Sequence, residues 1–177
     1  MEEKKYAVLI DGDNISSKYL DSILNEMTKY GIATYKRIYC DFTSQQSSKW
    51  RRLVRDSGIQ AMQQFANTVG KNATDSTLII DAMDILYTGN VDGFCIVSSD
   101  GDFTRLAIRL KESGMDVIGM GESKTPRSFR AACTVFTDLE ILYEAESEDD
   151  EISTKGKKPA VKHNVVKVSE IENVIIE

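Results

Sequence analysis

The chain has 177 residues, a length that suits one α/β domain with some additional chain, and 41% of them are apolar, which is sufficient for a core. The formal net charge of −6 excludes a global basic field for holding nucleic acid, so a polyanionic partner needs a local basic patch or contacts bridged by metal. Three cysteines without a paired spacing (Cys40, Cys95 and Cys133) favour a reducing, cytoplasmic location, and we expect no secretory signal and no membrane span.

Strand and helix patterns alternate along the chain. An apolar run at residues 6–10 predicts a buried strand, and apolar residues at helical spacing follow it at 19–30. The later patterns predict strands at 32–39, 59–65, 94–97, 115–120 and 135–137, with helices at 49–57, 75–86, 103–113 and 127–133. This alternation predicts an α/β fold, a three-layer Rossmann-like sandwich with a mainly parallel sheet and strand order 3-2-1-4-5.

Two of the predicted strands end in an acid-Gly-acid sequence. The first strand is followed by Asp11, Asp13 and Asn14, and the fourth is followed by Asp100 and Asp102. The predicted strand order places these two strands side by side at the reversal of topology, where open α/β sheets bind their ligands. The alternative is that the aspartates only form turns and cap helices.

Crowded carboxylates indicate a chemistry for this edge. Unpaired carboxylates repel one another unless a cation neutralises them, and Mg²⁺ or Mn²⁺ prefers oxygen ligands. Asp75, at the start of the third helix, joins the same set. A bound metal can activate water for phosphodiester hydrolysis. The single histidine, His163, lies in the tail, which argues against histidine base catalysis and against a nucleophile triad in the folded domain.

Five motifs, taken together and in order, resemble the NYN domain, specifically the LabA-like branch of the PIN-like metal-dependent ribonucleases. The resemblance runs from about residue 6 to residue 142. The motifs are Ile10-Asp11-Gly12-Asp13-Asn14, Lys71-Asn72-Ala73-Thr74-Asp75, Val97-Ser98-Ser99-Asp100-Gly101-Asp102-Phe103, Thr125-Pro126-Arg127-Ser128-Phe129 and Ala132-Cys133.

The resemblance implies a ribonuclease that uses Mg²⁺ or Mn²⁺ and acts on RNA. It implies that the metal-binding and catalytic cluster consists of Asp11, Asp75, Asp100 and Asp102. It also implies supporting roles for Asp13, Asn14 and Ser99. Asp81 lies six residues beyond Asp75, well round the helix, and is not assigned to the cluster.

Basic residues near the acidic site are candidates for contacts to the RNA backbone, preferably of a single strand. They are Lys71, Lys124, Arg127 and Arg130. A second basic patch, which carries an aromatic that could stack on a base, consists of Lys49, Trp50, Arg51, Arg52 and Arg55. The alternative is that these cations are only solvated and that Trp50 belongs to the core.

The composition changes after residue 143. We expect the domain to occupy residues 1–145 and a charged linker or tail to occupy residues 146–177. In some relatives the chain continues into a small winged-helix RNA-binding module, and the tail fits the approach to one. A homodimer is compatible with the sequence.

Two other functions remain open. One is a non-catalytic RNA-binding or regulatory module that keeps the acidic cluster. The other, less favoured, is a haloacid-dehalogenase-like phosphatase in which Asp11 is the nucleophile. That family usually has Thr or Val soon after the second acid and a cap insertion, whereas Asn14 and Ile15 follow here and no insertion is evident.

Overall fold

A computed structural model describes residues 2–65 and 73–155, without the side chains of residues 73–76. Within these residues, six strands form one sheet in the order β3-β2-β1-β4-β5-β6, and every neighbouring pair is parallel. The strands are β1 (Lys5–Asp11), β2 (Ile32–Cys40), β3 (Gln60–Gln63), β4 (Gly93–Val97), β5 (Asp116–Gly121) and β6 (Val135–Asp138). The predicted α/β class and the order 3-2-1-4-5 are confirmed, and β6 extends the sheet beyond β5.

Helices connect the strands, as parallel pairing requires. They are α1 (Leu20–Met27), α2 (Ser48–Ser57), α3 (Ala73–Thr88), α4 (Thr104–Glu112) and α5 (Arg127–Ala132). Short 3₁₀ turns precede three of them, at Ser17–Tyr19, Gln45–Ser47 and Gly101–Phe103. The helix α2 is capped by Gly58, whose φ of 64° lies in the left-handed region that the residue after a helix commonly adopts.

The sheet is buried on both faces. In β1, Ala7 and Leu9 belong to the main apolar cluster, together with Phe94 and Ile96 of β4 and with residues of α3, α4 and α5. The intervening β1 residues are equally buried, which explains why the strand is a continuous apolar run rather than an alternating one. The polar side chains at the strand ends are therefore held by a rigid core.

The chain divides into two units, residues 1–140 and 141–177. In the second unit, residues 141–155 are helical, and the side chains of the acidic run at 144–151 are exposed or half-exposed. The tail from residue 156 lies outside the described residues, and the predicted boundary near 145 stays a prediction. None of the helices within the described ranges combines the length and apolar character needed to cross a bilayer.

Candidate active site

The parallel register of β1 and β4 aligns the two acidic strand ends. Ile10 pairs with Val97, so the next residues, Asp11 and Ser98, lie side by side at the carboxyl edge of the sheet. Both are fully buried. Gly12 follows immediately, and a Cβ at this position would lie 2.8 Å from Ile38 Cγ1. The chain therefore needs glycine to leave the sheet so close to β2.

Asp11 is bonded through one carboxylate oxygen only. Its Oδ2 accepts hydrogen bonds from Asn14 Nδ2 at 2.9 Å and from Ser98 Oγ at 2.7 Å. Its Oδ1 is buried and has no hydrogen-bond partner among the described residues. A buried polar atom without a partner is costly, so this oxygen is a candidate to bind a cation.

The environment of Asp11 changes its acidity. Burial raises the pKa of its carboxyl to about 6, against the lowering effect of the Asn14 and Ser98 hydrogen bonds. The negative charges of Asp13 and Asp100 add to the increase. A perturbed carboxyl at a sheet edge is typical of functional sites. A cation at this position would relieve both the desolvation and the repulsion.

Asp100 begins the turn after β4. Its backbone N–H donates to Ser98 Oγ at 3.1 Å, and its Oδ1 accepts the Asp102 N–H at 2.9 Å, which caps the 3₁₀ turn. Asp100 is half-buried, whereas Asp102 is exposed and lines a cavity of about 720 Å³ with Ile79 and Met83 of α3. Asp100 therefore does form the turn, as the alternative interpretation proposed. Only its Oδ1 takes part in this cap, and Oδ2 does not.

The complete four-residue cluster is not visible in the described side chains. Asp75 lies in the first turn of α3, but its side chain is outside the described part, and Lys71 is outside it altogether. Among the side chains that are described, no three Asp, Glu, His or Cys residues form a group that could hold a metal ion. The cluster therefore stays a prediction, supported by the unpartnered oxygen of Asp11.

The predicted supporting residues have separate structural tasks. Asp13 is exposed, and its Oδ1 accepts the Asp41 N–H at 3.2 Å. Ser99 Oγ accepts the Glu122 N–H at 2.9 Å and so holds the loop after β5. The serine that contacts the acid is Ser98, which sequence reasoning did not assign. Its position one residue beyond β4, level with Asp11 across the sheet, is the signal that could have identified it.

Asp81 is engaged on a different part of the sheet. Its Oδ2 accepts the Tyr39 hydroxyl at 2.6 Å and forms an ion pair with Arg37 Nη1 at 3.0 Å. This agrees with its omission from the cluster. The contact fixes α3 against β2.

The predicted cations past β5 differ in availability. Lys124 and Arg127 are exposed. Arg130 donates from Nε to the Thr125 carbonyl at 3.0 Å and from Nη2 to the Ser123 carbonyl at 2.9 Å, and its guanidinium lies 4.4 Å from the centre of the Phe136 ring. Arg130 therefore organises the loop that carries Lys124, and its contact with RNA stays a prediction.

The tryptophan of the basic helix α2 is not exposed for stacking on a base. Trp50 is 3% exposed, and its Nε1 donates to the Gly12 carbonyl at 3.0 Å. The alternative of a core tryptophan is thus the observed one, although its polar atom secures the loop after β1. Arg51 donates to the carbonyls of Phe42 and Ser44, whereas Lys49 is exposed.

Comparisons with known proteins agree with this architecture. A family model, the NYN domain, matches residues 5–140. The uncharacterized protein MJ0482 of Methanocaldococcus jannaschii is 26% identical over 174 residues, and the match covers 95% of this chain but 66% of that protein, just under two thirds of its length. A crystal structure of VPA0982, a protein of unknown function from Vibrio parahaemolyticus, superimposes with a TM-score of 0.63 at 19% identity, covering 78% of this chain and 96% of that one. The structural likeness shows a shared fold.

Proposed function

Because the chain belongs to the NYN domain family, within the PIN-like superfamily, we propose that it is a divalent-metal-dependent ribonuclease. It hydrolyses phosphodiester bonds of single-stranded RNA at the edge where β1 and β4 end. We also propose that the protein belongs to the LabA-like branch of the family and is located in the cytoplasm. The fold itself is of the PIN-like nuclease type.

One observation carries the proposal: the carboxylate of Asp11 is fully buried, yet its Oδ1 has no hydrogen-bond partner among the described residues. A core position that held only a structural aspartate would satisfy both oxygens. Asn14 and Ser98 bond only the other oxygen of this buried carboxylate, and a hard cation would stabilise the charge that they leave uncompensated.

The donor set fits Mg²⁺ or Mn²⁺. Asp11, Asp75, Asp100 and Asp102 would hold the ion, since all four offer oxygen and follow strands or begin a helix at this edge. When bound, such an ion supplies an activated water and neutralises charge that develops on the phosphodiester.

The chain's own residues prepare the site. Asn14 and Ser98 fix the orientation of the Asp11 carboxylate by bonding one oxygen and leaving the other open. Ser98 also receives the Asp100 N–H, so the two acidic strand ends keep one arrangement. Lys124 is exposed and lines the same cleft as the loop after β1, and in this proposal it would contact a phosphate of the RNA.

A non-catalytic RNA-binding module is the second candidate. The observation that favours it is that Asn14, Ser99 and Asp100 all make hydrogen bonds within the chain, which would keep the acidic site in shape without turnover. Such a module would bind RNA without cleaving it under any metal. The two candidates differ only in turnover, so one experiment separates them.

That experiment uses the full chain with single-stranded RNA labelled at either end, in Mg²⁺, Mn²⁺ or EDTA. The wild type should cleave with metal and not in EDTA. Asp11→Asn should abolish cleavage, whereas Asp56→Asn, which removes the same charge from an exposed site on α2, should not. RNA binding without cleavage in every metal would favour the module instead.

A further inference from the structure

We propose that the cleft between the loop after β1 and the loop that leads into α2 binds one unpaired nucleobase of the RNA and thereby selects the sequence that is cleaved. The cleft has a volume of about 630 Å³, within the usual range of small-ligand sites. This inference rests on the proposed function, because the same RNA strand would occupy the cleft and the acidic site.

The cleft begins at the acidic site. Asp13 and Asn14 form one of its walls, and Asn14 Nδ2 lies 2.9 Å from Asp11 Oδ2. One residue therefore contacts both the buried carboxylate and the space of the cleft. A base held in the cleft belongs to a nucleotide beside the cleaved bond.

The opposite wall offers neutral hydrogen-bonding groups. Gln45, Gln46 and Ser48 line it and are exposed. No hydrogen bond joins the side-chain amide of either glutamine to the described residues, so each presents one carbonyl and two N–H donors. Such amides match the paired donor and acceptor edges of a nucleobase.

The cleft has few cationic side chains, and their task would differ from that of the amides. Lys49 and Lys124 are the lysines that line the cleft in the described part of the chain, and both are exposed. They suit the phosphates on either side of a bound base. A site for phosphate alone would need a cationic wall, whereas this wall is built mainly from amides and hydroxyls.

The cleft is preorganised. Trp50, which forms part of its lining, is bonded to the Gly12 carbonyl. On the other side, Arg51 donates to the carbonyls of Phe42 and Ser44 and to Ser47 Oγ. The two loops that form the walls are thus tied to the body of the domain, which lowers the entropic cost of binding a base.

Base selection requires an unpaired strand. In an A-form duplex the base edges are paired and the major groove is too deep and narrow for side chains. We therefore expect the base preference and the preference for single-stranded RNA to arise from the same cause, which is binding of an unpaired base in the cleft.

The test uses the full chain and a pool of short single-stranded RNAs with randomised sequence. The bound fraction is sequenced after equilibration in EDTA, and the cleaved ends are sequenced after incubation with Mn²⁺. The double variant Gln45→Leu/Gln46→Leu removes the amide groups and keeps the side-chain size. Its matched control is Gln60→Leu, an exposed glutamine on β3 outside the cleft.

We expect the wild type and Gln60→Leu to enrich one base several-fold at one position, beside the cleaved bond, and the double variant to lose that enrichment while still cleaving. Cleavage by the wild type without base preference, or a preference unchanged in the double variant, would overturn the inference and leave the ribonuclease intact. Base-selective binding in EDTA without cleavage in any metal would support the inference and overturn the ribonuclease. Neither selective binding nor cleavage would overturn both.

Discussion

Ser98 Oγ donates a hydrogen bond to Asp11 Oδ2 at 2.7 Å, and Ser98 Oγ also accepts a hydrogen bond from the Asp100 N–H at 3.1 Å. One hydroxyl thus joins the end of β1 to the turn after β4. The Ser98 hydroxyl stabilises the ionised form of Asp11. Because it bonds Oδ2, it fixes the orientation of the carboxylate and leaves Oδ1 without a partner among the described residues. Ser98 is therefore a positioning residue for the proposed metal site.

Ser98→Ala should raise the pKa of Asp11 above its value of about 6, because a donor to the charged form is lost. A hydrogen bond to a charged group contributes about 1.5–3 kcal/mol, so the pKa of Asp11 in the metal-free protein, measured by NMR titration in EDTA, should rise by about one to two pH units. Ser99→Ala is the matched control, since its hydroxyl accepts the Glu122 N–H instead. An equal rise of the Asp11 pKa in both variants would contradict this role of Ser98.

The stability of the metal-free protein should depend on the protonation of Asp11. The pKa of Asp11 is about 6 in the folded state against 3.8 for the ordinary carboxyl, so the folded state binds the proton more tightly. This group therefore adds stability as the pH falls from about 7 towards 4 and contributes no further change below that. Asp11→Asn should remove this dependence and raise the free energy of unfolding at pH 7 by on the order of 2 kcal/mol. Urea titrations in EDTA at pH 7 and pH 4.5 measure both effects.

Asp100→Asn should abolish RNA cleavage and leave the fold unchanged. Asparagine caps a helical turn as well as aspartate does, so the Asp102 N–H keeps its acceptor, and the change removes a charge that raises the pKa of Asp11. The free energy of unfolding should stay within about 0.5 kcal/mol of the wild type or rise slightly. Cleavage at the wild-type rate in a nuclease-free preparation would remove Asp100 from the site.

Mn²⁺ or Mg²⁺ should raise the thermal midpoint of the wild type, because a ligand that binds only the folded state stabilises it. At a concentration 100 times the dissociation constant the gain is about 2.7 kcal/mol. Asp11→Asn should respond much less, whereas Asp56→Asn should respond as the wild type does. A wild-type midpoint that is indifferent to millimolar Mn²⁺ would count against the proposed site.

The sheet was predictable because its signals are local. The alternation of strand and helix patterns predicts an order in which β1 and β4 are neighbours, and the structure confirms that order. Parallel strands buried on both faces have continuous apolar runs, which are easy to recognise in a sequence. The short edge strand β6 was also anticipated from its apolar residues.

The contacts within the site were harder to predict, because they depend on one-residue register and on side-chain direction. Ser98, rather than Ser99, contacts Asp11, since it is the residue level with Asp11 when β4 ends at Val97. The sequence could not show that Arg130 bonds to carbonyls of its own loop or that Trp50 is buried. Both residues look like substrate-binding groups by type alone.

The most direct test of the central claim is end-group analysis of RNA cleaved by the full chain in Mn²⁺. Metal-activated water attacks phosphorus without the 2′-hydroxyl, so the products should carry 5′-phosphates and 3′-hydroxyls. They should disappear in EDTA and with Asp11→Asn, and persist with Asp56→Asn. Cyclic 2′,3′-phosphates that persist in EDTA, or products that survive Asp11→Asn, would contradict the account.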